Sequence, residues 1–135
     1  MREPDTVHHC AGFEGAIAAL GADQRSVLRM LLTGAPFALV VSLAAVEPRL
    51  VEEWLGNGGP LHAAIDALHH DIPASLRTRL RALVQREIRA SDALPHDASA
   101  RASLVLVRAI GSLDAEQHLL EHSALRRDEW SGGGS

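Results

Sequence analysis

Tyrosine and lysine are absent from the 135 residues, and aromatic side chains make up only 3%. A core with so few rings must be built from Leu, Val, Ile and Ala, which favours helices packed closely through small side chains. The same scarcity removes the stacking platforms that hold single-stranded nucleic acid. Cys10 is the only cysteine, so no internal disulfide forms and a stapled secreted scaffold is excluded. Arg2, Glu3 and Asp5 stand where a signal peptide would need an apolar stretch. The longest apolar run, residues 35–46, is interrupted by Pro36 and Ser42 and is too short to span a bilayer. A soluble, cytoplasmic protein with no membrane attachment is expected. Chemistry is missing as well. No Ser or Cys lies in a nucleophile motif, and Gly56-Asn57-Gly58-Gly59 follows a helical stretch rather than the strand a phosphate loop needs. An enzyme is not expected, and neither is a cofactor.

What is present is apolar and acidic. Hydrophobic residues account for 47%, enough for a folded interior in one domain. Thirteen basic residues, all Arg, face 17 acids, for a net charge of −4. Binding to nucleic acid through bulk charge is therefore disfavoured, since counterion release needs a basic surface. Residues 1–12 read as a flexible N-terminus, 13–130 as one helical domain, and Ser131-Gly132-Gly133-Gly134-Ser135 as a linker-like tail.

Along the domain, turn signals divide the chain into helices. A short helix is expected from Phe13 to Leu20, ended by Gly21. Asp23 reads as the N-cap of a helix carrying Val27, Leu28, Leu31 and Leu32, which Gly34 stops. Pro60 opens a helix with Leu61, Ile65 and Leu68 on one face. Asp71 and Pro73 give a fresh start to a helix reaching about Ala90, and Ser91 to His96 form a break. Asp97 opens a helix to Gly111, and a last helix begins near Asp114. Strand competes over Phe37–Val41 and Leu104–Val107, where β-branched residues adjoin. Neither run has hairpin turns on both sides and both are flanked by Ala, so helix is preferred. The fold class expected is all-α, a compact bundle of about seven or eight helices.

Residues 37–56 carry the most specific pattern. Val41, Ala45, Val46, Val51, Trp54 and Leu55 fall at the positions that let two steeply crossing helices share a core. Pro48 sits where the second helix should begin. This spacing resembles the helix-turn-helix superfamily of bacterial regulators. The resemblance implies a DNA-reading second helix and the two-fold assembly usual in that superfamily. The chain departs from the pattern in two ways. Ala45 replaces the usual turn glycine, and Glu47 replaces the common Ser or Thr cap. Further along, the solvent face of the second helix offers Arg49, Glu52 and Glu53, and carboxylates are repelled by phosphates. Glu47, Arg49, Glu52 and Glu53 are thus candidates for contacting a protein partner rather than DNA.

A second candidate surface is cationic. Residues 74–90 hold Arg77, Arg79, Arg81, Arg86 and Arg89 against the single acid Glu87. On a helical wheel Leu76, Leu80, Leu83, Val84 and Ile88 form the apolar arc, with Arg77 and Arg81 at its edge. Arg79, Arg86 and Arg89 lie opposite, as a nucleic-acid- or anion-binding face. Against that, 17 acids are available to pair with those arginines inside the fold.

Histidine is the third. His118-Leu-Leu-Glu121-His122 fits the H-x-x-E-H string of inverted zinc proteases, with both imidazoles on one helical face. Only 13 residues follow His122, too few for the distant third ligand such enzymes need. His118 and His122 remain as a two-histidine surface metal site. The adjacent pair His69-His70 points apart on a helix and does not chelate readily. The trio His8-His9-Cys10, which offers adventitious metal binding or an intermolecular disulfide through Cys10, is expected to stay inert in a reducing cytoplasm. Finally, Leu104-Val105-Leu106-Val107 is apolar around its whole circumference, which predicts either the bundle centre or a homodimer contact through residues 98–127. The sequence favours a small non-enzymatic regulatory or adaptor protein that binds another protein. A DNA-binding regulator using the hairpin and the Arg face is the alternative, and a His-based metal-binding protein the outside one.

Overall fold

Prolines and glycines punctuate the chain where the helices begin and end. The computed structural model describes residues 13–90 and 95–120. Seven helices follow in order: α1 (13–18), α2 (Ala22–Leu32), α3 (Phe37–Ala44), α4 (Pro48–Leu55), α5 (Pro60–His70), α6 (Arg77–Ala90) and α7 (Ala98–Gln117). A 3-10 turn, Ala74–Leu76, leads into α6. Pro48 and Pro60 each start a helix, where the missing N–H costs nothing. Among the described residues there is no strand, so both runs of adjacent β-branched residues are helical, one in α3 and one in α7.

α7 is the axis of the bundle. It packs against α2, α4, α5 and α6, whereas the main contacts of α3 are with α2 and α4 only. Leu104, Val107, Ile110 and Leu113 of α7 are buried, alongside Val27, Leu28 and Leu31 of α2 and Val51 and Leu55 of α4. Each such side chain contributes about 1.5–3 kcal/mol relative to exposure. The all-round apolar pattern at residues 104–107 is consumed inside one chain, which removes it as an argument for a dimer through residues 98–127.

Three local expectations need correction. Gly111 does not end a helix, and none starts at Asp114; α7 runs through both. Gly111 is there because α2 crosses α7 at this point, and a Cβ would run into the backbone of Leu32. Asp23 lies in the first turn of α2 rather than capping it; the N-cap is Gly21, whose N–H donates to Gln24 Oε1 at 3.0 Å. Ile88, placed in the apolar arc of α6, is half exposed. The domain limits proposed at 12 and 130, and His8, His9, Cys10 and His122, lie outside the described residues.

Candidate docking surface

The α3–α4 hairpin is shaped by its three-residue turn. Ala45 closes α3 in the left-handed conformation (φ 58°, ψ 40°), its N–H donating to the carbonyls of Val41 and Ser42. That conformation strains any residue with a Cβ. Glu47 is extended (φ −69°, ψ 140°), and its carbonyl accepts from the N–H groups of Leu50 and Val51. Val40, Val51 and Leu55 anchor the hairpin in the core, with Val41, Val46 and Trp54 packed against them. At the other end of α4, Gly59 folds back beneath the carbonyls of Glu53 and Trp54, where no side chain fits. From α7, Arg108 Nη2 donates to the Ala35 carbonyl at 2.9 Å and pins the entry to α3.

This anchoring leaves much of α3 uncovered. Leu39 is 46% exposed, Leu43 65% and Leu50, on α4, 39%. Leu39 and Leu43 stand one turn apart on the same side of α3. Leu43 also borders a groove of about 400 Å³ that Ser26, Met30 and Thr33 of the α2 region help to line. The acidic residues lie beside this apolar surface. Glu47, Arg49 and Glu53 are exposed and Glu52 half-buried. Arg49, Glu52 and Glu53 share a shallow cleft of about 360 Å³ with Asn57, Asp97 and Ser99.

Asp97 and Ser99 join this face because α7 begins where α4 ends. The Ser99 hydroxyl donates to Asp97 Oδ2 at 2.5 Å and accepts from the Asn57 N–H at 3.0 Å, while the Ala100 N–H donates to Asp97 Oδ2 at 3.0 Å. The Ser99 hydroxyl and then the Ala100 N–H hold the Asp97 carboxyl below its ordinary pKa. A carboxylate 44 positions after Glu53 gives no spacing signal in the sequence. The exposed leucines were readable in principle, since an eight-residue helix that is apolar all round cannot bury every side unless it is central.

The proposed cationic face is partly engaged within the chain. Arg79 grips Glu116 of α7 with both ends of its guanidinium, Nε to Oε1 at 3.0 Å and Nη2 to Oε2 at 2.6 Å. That pairing lowers the pKa of Glu116 and raises that of Arg79. Arg86 Nη2 reaches Ser112 Oγ at 3.4 Å. Arg77 donates toward the carbonyls of His69 and Ile72 near the end of α5. Arg89 is exposed one turn beyond Arg86 on α6. Arg79 is thus committed to Glu116, while all three arginines remain exposed.

Among the described residues the histidines do not gather into a metal-binding group. His118 is the left-handed residue that ends α7 (φ 56°), so it is not on a helical face at all. His62 Nδ1 lies 3.1 Å from Ser103 Oγ, between α5 and α7. Burial, then the nearby Arg77 charge, lowers the pKa of His69. Among the described residues no three His, Cys, Asp or Glu side chains are grouped to hold a metal ion, and no helix is long and apolar enough to cross a membrane. No family model, curated protein or solved structure matches the chain.

Proposed function

We infer that this chain is a small, non-enzymatic adaptor or regulatory protein of the cytoplasm that docks another protein on its α3–α4 hairpin. The observation that carries this reading is the location of the exposed large hydrophobics. Among the described residues three of them, Leu39, Leu43 and Leu50, sit on the hairpin, and the fourth is Ile88 on α6. Water contact with so much leucine on one short hairpin is unfavourable, and apolar surface rimmed by polar residues marks interaction sites. Glu47, Glu52, Glu53 and Asp97 form the rim and select against phosphate-lined partners.

The test is a photo-crosslinking residue at position 43, introduced in the cells that make this protein. A covalent adduct to a protein is expected, and Leu39→Ser should abolish it. A position-43 probe that captures nothing, while the same probe at exposed surface elsewhere behaves identically, would remove the hairpin as a docking site.

A DNA-binding regulator is the second reading. The left-handed Ala45 between two short helices supports it, because a helix-turn-helix needs such a turn. The acidic α4 and the pairing of Arg79 with Glu116 weigh against it. Anisotropy of a labelled mixed-sequence duplex separates the two. No binding at low salt is expected; micromolar affinity that collapses as salt rises would favour the DNA reading.

A further inference from the structure

We propose that the occupant of the hairpin is a second copy of this chain, seated through the outer face of α6. The proposal rests on the docking reading above and names its partner. Two observations converge on it. The first is apolar: among the described residues, the only exposed large hydrophobic outside the hairpin is Ile88, on α6.

The second is charge. Around α6, Ile88, Arg81, Gln85 and Arg89 fall within an arc of about 100°, forming one outward face. Arg81, Gln85 and Arg89 are exposed there, while Glu87, the only acid of the helix, is half-buried on another side. Around α4, Leu50, Glu53 and Arg49 span a similar arc of about 100°, with Glu47 at its head. Each face thus has an aliphatic side chain at one edge, Ile88 or Leu50, and the charges beside it are net positive on α6 and net negative on the hairpin. Most arginines of the bundle are engaged within the chain, as Arg77, Arg79, Arg86, Arg101 and Arg108 all donate hydrogen bonds. No hydrogen bond or ion pair engages the side chains of Glu47, Glu53, Arg81 or Arg89 among the described residues. Beside the two exposed apolar surfaces the unengaged charges therefore sum to net negative on the hairpin, Glu47 and Glu53 against Arg49, and to positive on α6, Arg81 and Arg89.

Hairpin and α6 are different surfaces, so the contact between copies is heterologous. Each copy offers one face of each kind. Opposite charges steer the encounter and fix its register, and the aliphatic side chains leave water on contact. The association is consequently sensitive to salt.

Sedimentation velocity of the full chain, from micromolar to millimolar concentration, tests this at low and high salt. The mean mass is expected to rise with concentration at low salt and to fall back at high salt. Leu50→Asp disables the hairpin and Ile88→Asp disables α6, so each variant alone should remain monomeric. An equimolar mixture should associate again, because one intact face of each kind is restored. Charge reversal supplies a second measure that leaves Leu50 and Ile88 intact. Glu53→Arg or Arg89→Glu alone should weaken association about tenfold or more, and both in one chain should recover it. Circular dichroism confirms that each variant is still helical.

A wild-type chain that stays monomeric at millimolar concentration and low salt overturns the proposal. So does association that either aspartate variant alone leaves intact. Neither outcome touches the docking reading itself, which is tested separately by the position-43 probe.

Discussion

α3 and α7 are written in nearly the same alphabet and end in opposite surroundings. Both contain a run of Leu, Val and Ala that is apolar around the helix. In α7 that run is covered from every side by α2, α4, α5 and α6, and Leu104, Val105 and Val107 are buried. In α3 only Val40 is fully buried, and Leu39 and Leu43 face solvent. The difference is position in the bundle, not composition. An axial helix needs apolar residues everywhere to satisfy its neighbours. A peripheral helix needs one stripe, so apolar residues beyond that stripe stabilise nothing in the isolated chain. Their retention at the edge is intelligible when something else covers them.

The largest effect should come from breaking the axial position of α7. Gly111→Ala places a methyl group into the Leu32 backbone at the α2–α7 crossing. Two backbones must separate there, which puts the change beyond the roughly 1–3 kcal/mol usual for overpacking, so a loss of more than ~3 kcal/mol is expected in urea unfolding. Little change in the unfolding midpoint would mean that the crossing is looser than its geometry indicates. Next in size is a direct contrast between the two helices. Leu104→Ala should cost about 2–5 kcal/mol, while Leu43→Ala should lie within about 0.5 kcal/mol of the unmutated chain. Equal losses would show that α3 is covered in the isolated chain, and the docking reading would lose its foundation.

Much of this architecture was legible in the residues, for physical reasons. Pro48 and Pro60 marked helix starts because proline fixes φ and lacks a donor. Leu61, Ile65 and Leu68 marked a buried face because helical spacing brings them together. Gly111 misled for the opposite reason. Glycine ends helices by adopting φ > 0, yet it also lets two backbones touch, and the sequence carries no sign of which use applies. The candidate site was half visible. Its acidic residues are neighbours in sequence, but Asp97 and Ser99 arrive through a long-range meeting of α4 and α7 that no local pattern records. Wheel geometry likewise cannot foresee that Glu116 of α7 pairs with Arg79.

The ends of the two helices sharpen the comparison further. α3 ends at Ala45 and α7 at His118, and these are the two non-glycine residues with positive φ among the described residues. A side chain in that conformation costs about 1–2 kcal/mol, so Ala45→Gly and His118→Gly should each gain up to about 1 kcal/mol once the greater freedom of glycine in the unfolded chain is subtracted. Thermal unfolding measures both. A gain at His118 with none at Ala45 would mean that the hairpin turn is already relaxed. That result would weaken the argument that the turn is held in a fixed shape for docking.

The smallest expected effect is acidification, and it bears on α7 rather than α3. Hydrogen bonds from Ser99 and Ala100 depress the Asp97 carboxyl at the start of α7, and Arg79 depresses Glu116 near its end. A carboxyl whose folded pKa lies below its unfolded value stabilises the fold at higher pH. That contribution is complete above the unfolded range, about pH 4–4.5, and is lost as pH falls through the folded values. Both groups are open to solvent, so each contribution is reduced by screening. Asp97→Asn keeps an effective helix cap while removing the titrating charge, and Glu116→Gln removes the other. The double variant should therefore be slightly less stable near neutrality and should lose less stability than the unmutated chain on acidification below about pH 4.5. Parallel acid limbs for the two proteins, measured by urea unfolding across that range, would mean that the ends of α7 are held by packing alone.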